Sequence, residues 1–354
     1  MLRNEATHKS SSLNSLLVVI MDKGKGSELF NYAMGLGISG ATAFHARGTV
    51  PSRILRFFEL VEVRKEIVMI ALPTYHEKDL VHQLTVKFQL DRPNKGIIFS
   101  LNLSGVYGSS HFDQDSLQVS AAEAINDSPY QAIMTIVDKG RADSILDFVE
   151  EHGFARGTVI DAHGSADKSK VILNLMFERE KEIFLIITKR EQARRLAGLL
   201  TDFLDLRSVN CGIMALLNIR QLVGINTIST ENSEIEEMDE LGEPGAVMGQ
   251  NMPGHSLIFA IVDNDQDKAV IQSAELAGST GGTIIHARGS HPYNGKTFFS
   301  NSIEPEREIV MIIAENDKVQ AICSRIETDL QLDQPGKGIL LVTPLVDTIG
   351  LVTN

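Results

Sequence analysis

Leu16–Met21 (LLVVIM) is apolar at every position and ends at Asp22. A run this short and this continuous, rich in Val, Leu and Ile, predicts a central strand. Gly24, Lys25 and Gly26 break it. Ser27 is placed to cap a helix whose apolar positions, Leu29, Phe30, Ala33 and Met34, recur at helical spacing, and Gly35 and Gly37 close that helix. A second strand is predicted over Gly40–Gly48, and further strand segments over 57–63 and 66–72. A second helix over 77–89 is stopped by Arg92, Pro93 and Asn94, and Gly96–Leu101 is the last strand.

The pattern then recurs twice. An Asp closes an apolar run at Asp22, Asp138 and Asp263, and a Gly follows 26 positions later each time, at Gly48, Gly164 and Gly289. Glu66, Glu182 and Glu308 each precede a second Gly (Gly96, Gly212, Gly338) by 30 positions. The first strands of the later copies are Ala132–Val137 and Leu257–Val262; the second strands are Gly157–Gly164 and Gly282–Gly289. The order β-α-β-β-α-β predicts an α+β chain of three tandem ferredoxin-like domains, at 14–103, 130–224 and 255–350. Polar stretches at 104–129 and 225–254 read as linkers, the second of them acidic, and both are long enough to let the three units pack as an intramolecular pseudo-trimer.

Composition narrows the function. The 354 residues are 43% hydrophobic and 22% charged, as in a soluble globular protein, with a net charge of −13. That acidity argues against nucleic-acid binding as the main task. The two cysteines, Cys211 and Cys323, have no CxxC neighbour, so a reducing, cytoplasmic setting is expected. The N-terminal MLRNEATHKSSSLNS has no apolar signal core, and no apolar run is long enough to cross a membrane. No membrane insertion is therefore expected. No nucleophile stands with its base, so no enzyme is expected.

GATAFHARGT and NKGIIFSLNL in the first copy resemble the PII nitrogen-regulatory signal-transduction family, as do GGTIIHARGS (281–290), EREIVMIIA (306–314) and QPGKGILLVTPL (334–345) in the third. The resemblance extends over all three copies. It implies a signalling protein that binds adenine nucleotide or another small anion in clefts between units. It further implies docking on a partner enzyme or transporter through the loops at 49–64, 165–180 and 290–306. The chain departs from nucleotide-binding members in two places. Gly96, Gly212 and Gly338 stand where those members carry Lys directly before the last strand, and Arg220 is the lone arginine after the last strands. An altered anion or nucleotide site is the expectation; the cofactor stays open, with adenine nucleotide one candidate.

The candidate ligand-binding residues are His45, Arg47, Gly48, Lys95 and Gly96 in the first copy, and His286, Arg288, Gly289, Lys337 and Gly338 in the third. Alternation puts His45 and Arg47 on one face of a strand, where guanidinium forks suit phosphate or carboxylate. A structural role for them, at the end of a sheet or across a domain interface, is the favoured alternative. Lys95 and Lys337 lie in glycine-flanked turns, either a phosphate cradle or plain turn residues. The second copy diverges, with Asp161, His163 and Cys211 at the matching positions. Fewer than three equivalent sites are expected. Asp22, Asp138 and Asp263 are read as turn residues, and Tyr293 as a loop tyrosine open to modification. Two rival functions remain: a metal-binding protein that brings His45, His163 and His286 together, and a ligand-free interaction hub.

Overall fold

A computed structural model describes residues 13–48, 63–108, 129–154, 157–165, 179–209, 211–224, 254–290 and 306–351. The first copy contributes β1 (Leu13–Asp22), α1 (Gly26–Gly35), β2 (Ala41–Gly48), β3 (Val63–Pro73), α2 (Thr74–Phe88), β4 (Ile97–Asn102) and a short β5 (Gly105–Tyr107). The second contributes β6 (Tyr130–Asp138), α3 (Ala142–Glu151), β7 (Thr158–Gly164), β8 (Arg179–Lys189), α4 (Arg190–Leu204), β9 (Ile213–Asn218) and β10 (Leu222–Val223). The third contributes β11 (His255–Asp263), α5 (Asp267–Leu276), β12 (Thr283–Ser290), β13 (Glu306–Glu315), α6 (Asn316–Leu330), β14 (Gly338–Pro344) and β15 (Asp347–Ile349).

The expectation of three tandem ferredoxin-like domains is corrected by the strand pairing. All 15 strands join one antiparallel sheet, curled as a half-barrel, with six helices among the described residues. Three strands link the copies. β12 pairs with β2 through Ala287↔Phe44 to Ser290↔Ala41, and with β7 through Thr283↔Gly164 and Ile284↔His163. β2 pairs with β7 through Arg47↔Val159 and Gly48↔Thr158. The short strands then exchange cyclically: β5 extends β14, β10 extends β4, and β15 extends β9. Pairing between copies satisfies N–H and C=O groups that separate sheets would leave on open edges.

Burial gives the second reason. Leu17, Val19 and Met21 of β1 pack under α1 and α2, whereas Leu16, Val18 and Ile20 enter a core shared by all three copies. β6 and β11 divide in the same way, with Met134 and Phe259 facing the shared core. A strand covered on both faces is apolar throughout, which is why LLVVIM does not alternate. A separate two-layer domain would leave one of those faces to water.

Local signals are also reassigned. α1 begins at Gly26, before Ser27, and no side chain of its own N-cap residue binds it. The second helix of each copy ends at a left-handed residue, Gln89, Asp205 or Gln331, with φ of 55°, 52° and 53°. That turn lets the following leucine (Leu90, Leu206, Leu332) become fully buried. Of the strand expected over 57–63, only Val63 is described. Residues 49–62, 166–178 and 291–305 of the expected docking loops, Tyr293, and 225–253 of the acidic linker lie outside the described residues. Within the stretch 104–129, Gly105–Tyr107 is strand β5.

Candidate functional site

Each copy buries one glutamate on its third strand, and each glutamate acts at the start of the copy's first helix. Glu66 Oε2 accepts hydrogen bonds from the backbone N–H of Gly24 (3.2 Å) and Gly26 (2.7 Å). Glu182 Oε2 accepts from Gly140 (2.9 Å) and Ala142 (3.0 Å), and Glu308 Oε2 from Asp267 (3.1 Å). The helices are thus capped by carboxylates from a neighbouring strand, a favourable placement of negative charge at the positive end of a helix. Gly26 has no side chain because a Cβ there would lie 2.6 Å from the Glu66 carboxyl carbon.

The other oxygen of Glu66 and of Glu182 is paired from another copy. Arg47 Nη2 donates to Glu182 Oε1 at 2.5 Å, while Arg47 Nη1 lies 3.4 Å from Asp143. Arg288 Nη2 pairs with Glu66 Oε1. Both predicted arginines therefore bridge copies. At the third junction His163 occupies the arginine's position. No ion pair joins it to Glu308 among the described residues; its ring stacks edge-on with His286, centroids 5.3 Å apart. His286 Nδ1 lies 3.9 Å from Glu308 Oε1. Burial first, then the Asp267 carboxylate, push the Glu308 pKa up.

His45 is exposed on β2, opposite Glu66. Burial, and then the charges of Lys23 and Arg288, push its pKa below 6.5. The charges of a lysine in the first copy and an arginine in the third thus both act on this imidazole. The structure does not bring Lys95 or Lys337 into contact with these groups among the described residues; both are exposed in the turns before β4 and β14. The glycines after them, and Gly212 in the second copy, have a backbone reason. Gly96, Gly212 and Gly338 have φ of 141°, 142° and 147°, and a Cβ would lie 2.6–2.8 Å from the carbonyl oxygens of Ile20, Ile136 and Ile261. Gly48 and Gly289 lie at the ends of β2 and β12 against Lys65 and Arg307.

Asp22, Asp138 and Asp263 pair directly across the sheet with Lys65, Lys181 and Arg307. Arg220 reaches Glu77 at 3.4 Å. Buried Glu77 also accepts the hydroxyls of Ser15 (2.5 Å) and Ser100 (2.7 Å), a network found in the first copy alone, since Ala193 and Val319 stand at the matching positions. Cys323 is buried and burial raises its thiol pKa. The central cavity, lined by residues such as Val18, Phe44, Met134 and Phe259, is entirely apolar and offers an anion no partner.

Sequence reasoning overlooked Lys23 and the three buried glutamates as site residues, although each glutamate stands 30 positions before a Gly. Among the described residues no cluster of three His, Cys, Asp or Glu side chains is able to hold a metal ion, and no helix is long and apolar enough to cross a membrane.

A scan against models of known protein families and a search of curated proteins each found no match to the chain. Among solved structures, the crystal structure of an anthrone oxidase-like protein is similar at 7% identity over 63% of this chain and 94% of that one, with a TM-score of 0.18. A likeness that weak carries no argument about fold or activity.

Proposed function

We propose that the chain is a non-catalytic, PII-like regulatory protein that binds a small anion where its third copy meets its first. Adenine nucleotide is the first candidate ligand. The signal passes to a partner enzyme or transporter through the loops between the second and third strands. Lys23 and Arg288, two cations from different copies whose charges both act on the His45 imidazole, carry this reading on a chain with a net charge of −13. Glu66 neutralises part of that charge, so an anion is held chiefly by Lys23 and His45, with Arg288 shared. The metal reading lacks a set of ligands among the described residues.

Calorimetry with ATP, ADP and AMP, with and without Mg²⁺, tests the proposal. Exposed Lys23→Gln is expected to weaken binding about tenfold while leaving the fold intact. A bound anion favours the imidazolium, so binding raises the His45 pKa and takes up a proton. Affinity should therefore increase as pH falls toward the lowered pKa of the free His45, and His45→Asn should flatten that dependence. Absence of binding heat from all three nucleotides would remove the nucleotide version of the proposal.

A further inference from the structure

We propose that the junction between the second and third copies is a binding site for a small guanidinium or amidinium compound, held by Glu308 and Asp267. The chain itself displays the ligand chemistry twice. Glu182 and Glu66 sit at equivalent places and each receives a guanidinium from a neighbouring copy, Arg47 and Arg288. At the third place the chain supplies His163, which is too short to repeat the contact.

The strand register shows that the positions are equivalent. Arg47 lies opposite Val159, Arg288 opposite Ala43, and His163 opposite Ile284, one step around the same cycle each time. Glu308 keeps its helix-capping bond through Oε2 to the Asp267 N–H. Its Oε1 accepts no hydrogen bond from the described residues, and it belongs to a side chain only 5% exposed. Among the described residues the cation former paired with it is His286 Nδ1, at 3.9 Å.

The surrounding substitutions fit the same ligand. Asp143, which takes the second nitrogen of Arg47, is replaced in the third copy by exposed Lys268. One position earlier, where the other copies have Gly26 and Ala142, the third copy has buried Asp267. A second carboxylate is therefore still present, next to Glu308. A planar fork of N–H donors satisfies two carboxylates better than a spherical ion does. His163 and His286 provide ring faces on which such a plane can stack. The site is separate from the anion site of the first copy: its ligand has opposite charge and it uses none of Lys23, His45 or Arg288.

Thermal unfolding of the full chain with agmatine or methylguanidinium is the test, with tetramethylammonium and sodium chloride at equal ionic strength as controls. Wild type should gain stability saturably with both guanidinium compounds and not with the control salts. Calorimetry should give one site per chain. His163→Arg should fill the place from within and abolish the gain. Glu308→Gln, which keeps the side chain's shape, should weaken binding about ten- to hundredfold. If His163→Arg fails to fold, Glu308→Gln decides alone. No saturable gain in wild type overturns the proposal. So does an equal gain with tetramethylammonium, or unchanged binding in Glu308→Gln.

Discussion

Glu66→Ala is expected to lower the unfolding free energy by about 3–5 kcal/mol, the range for removing one partner of a buried ion pair. The residue is fully buried, accepts hydrogen bonds from the N–H groups of Gly24 and Gly26, and is ion-paired with the guanidinium of Arg288. Removing it leaves the start of α1 without an acceptor and leaves Arg288 partly buried without its counter-charge. The damage falls on a helix of the first copy and on its contact with the third. Urea unfolding should show a lowered midpoint. Arg288→Ala should cost less, because that side chain is 32% exposed and Glu66 keeps its two backbone donors.

Gly224→Ala is expected to cost about 3 kcal/mol, combining a left-handed backbone with an overpacked contact. Gly224 has φ +89°, and a Cβ there would lie 2.2 Å from the carbonyl oxygen of Gly96 and 2.7 Å from that of Leu90. It ends the strand that the second copy lends to the first. Gly350 repeats the arrangement against Gly212, and Gly108 against Gly338. Gly24→Ala is the control. Its φ is +88° with nothing within 4 Å of a Cβ, so it should cost only about 1 kcal/mol for the backbone alone. Thermal or urea unfolding of the two variants separates the clash from the conformation. Equal losses would mean that the exchanged strand is not packed as described.

The apolar runs at Leu16–Met21, Ala132–Val137 and Leu257–Val262 make the central strands readable through their shortness and the turn residues that follow them, since a continuous apolar run has no period of its own. Their lack of alternation also held the clue that no copy stands alone, since a solitary sheet packed on one face would alternate. Arg47 and Glu182 are 135 residues apart, and no local pattern links them. Their pairing follows only once β2 meets β7. Glu66, Glu182 and Glu308 stand out in the sequence, each 30 positions before a Gly, but their task depends on the strand folding back over the helix start, so the local pattern points to Ser27 as the cap instead. Gly108, Gly224 and Gly350 follow Gly96, Gly212 and Gly338 by 12 positions each. That recurrence was legible, and it marks the exchanged strands. The divergence of the second copy, Asp161 with His163, was also legible, and the structure locates its consequence in the third copy, at Glu308.

The three junctions are chemically unequal: two hold a carboxylate against a guanidinium and one does not. Glutamine keeps the size of glutamate but removes its charge. In Glu66→Gln and Glu182→Gln this loses a charge-assisted bond to arginine. Glu308 has a raised pKa, so its contribution to stability is complete below the unfolded value of 4.5 and is lost as pH rises through the folded value. Near neutral pH its charge opposes folding, and Glu308→Gln should relieve that. The decisive measurement is the urea midpoint of the three glutamine variants in one buffer near neutral pH. The expected result is a lower midpoint for Glu66→Gln and Glu182→Gln and an equal or higher one for Glu308→Gln. A matching loss in all three would contradict the account.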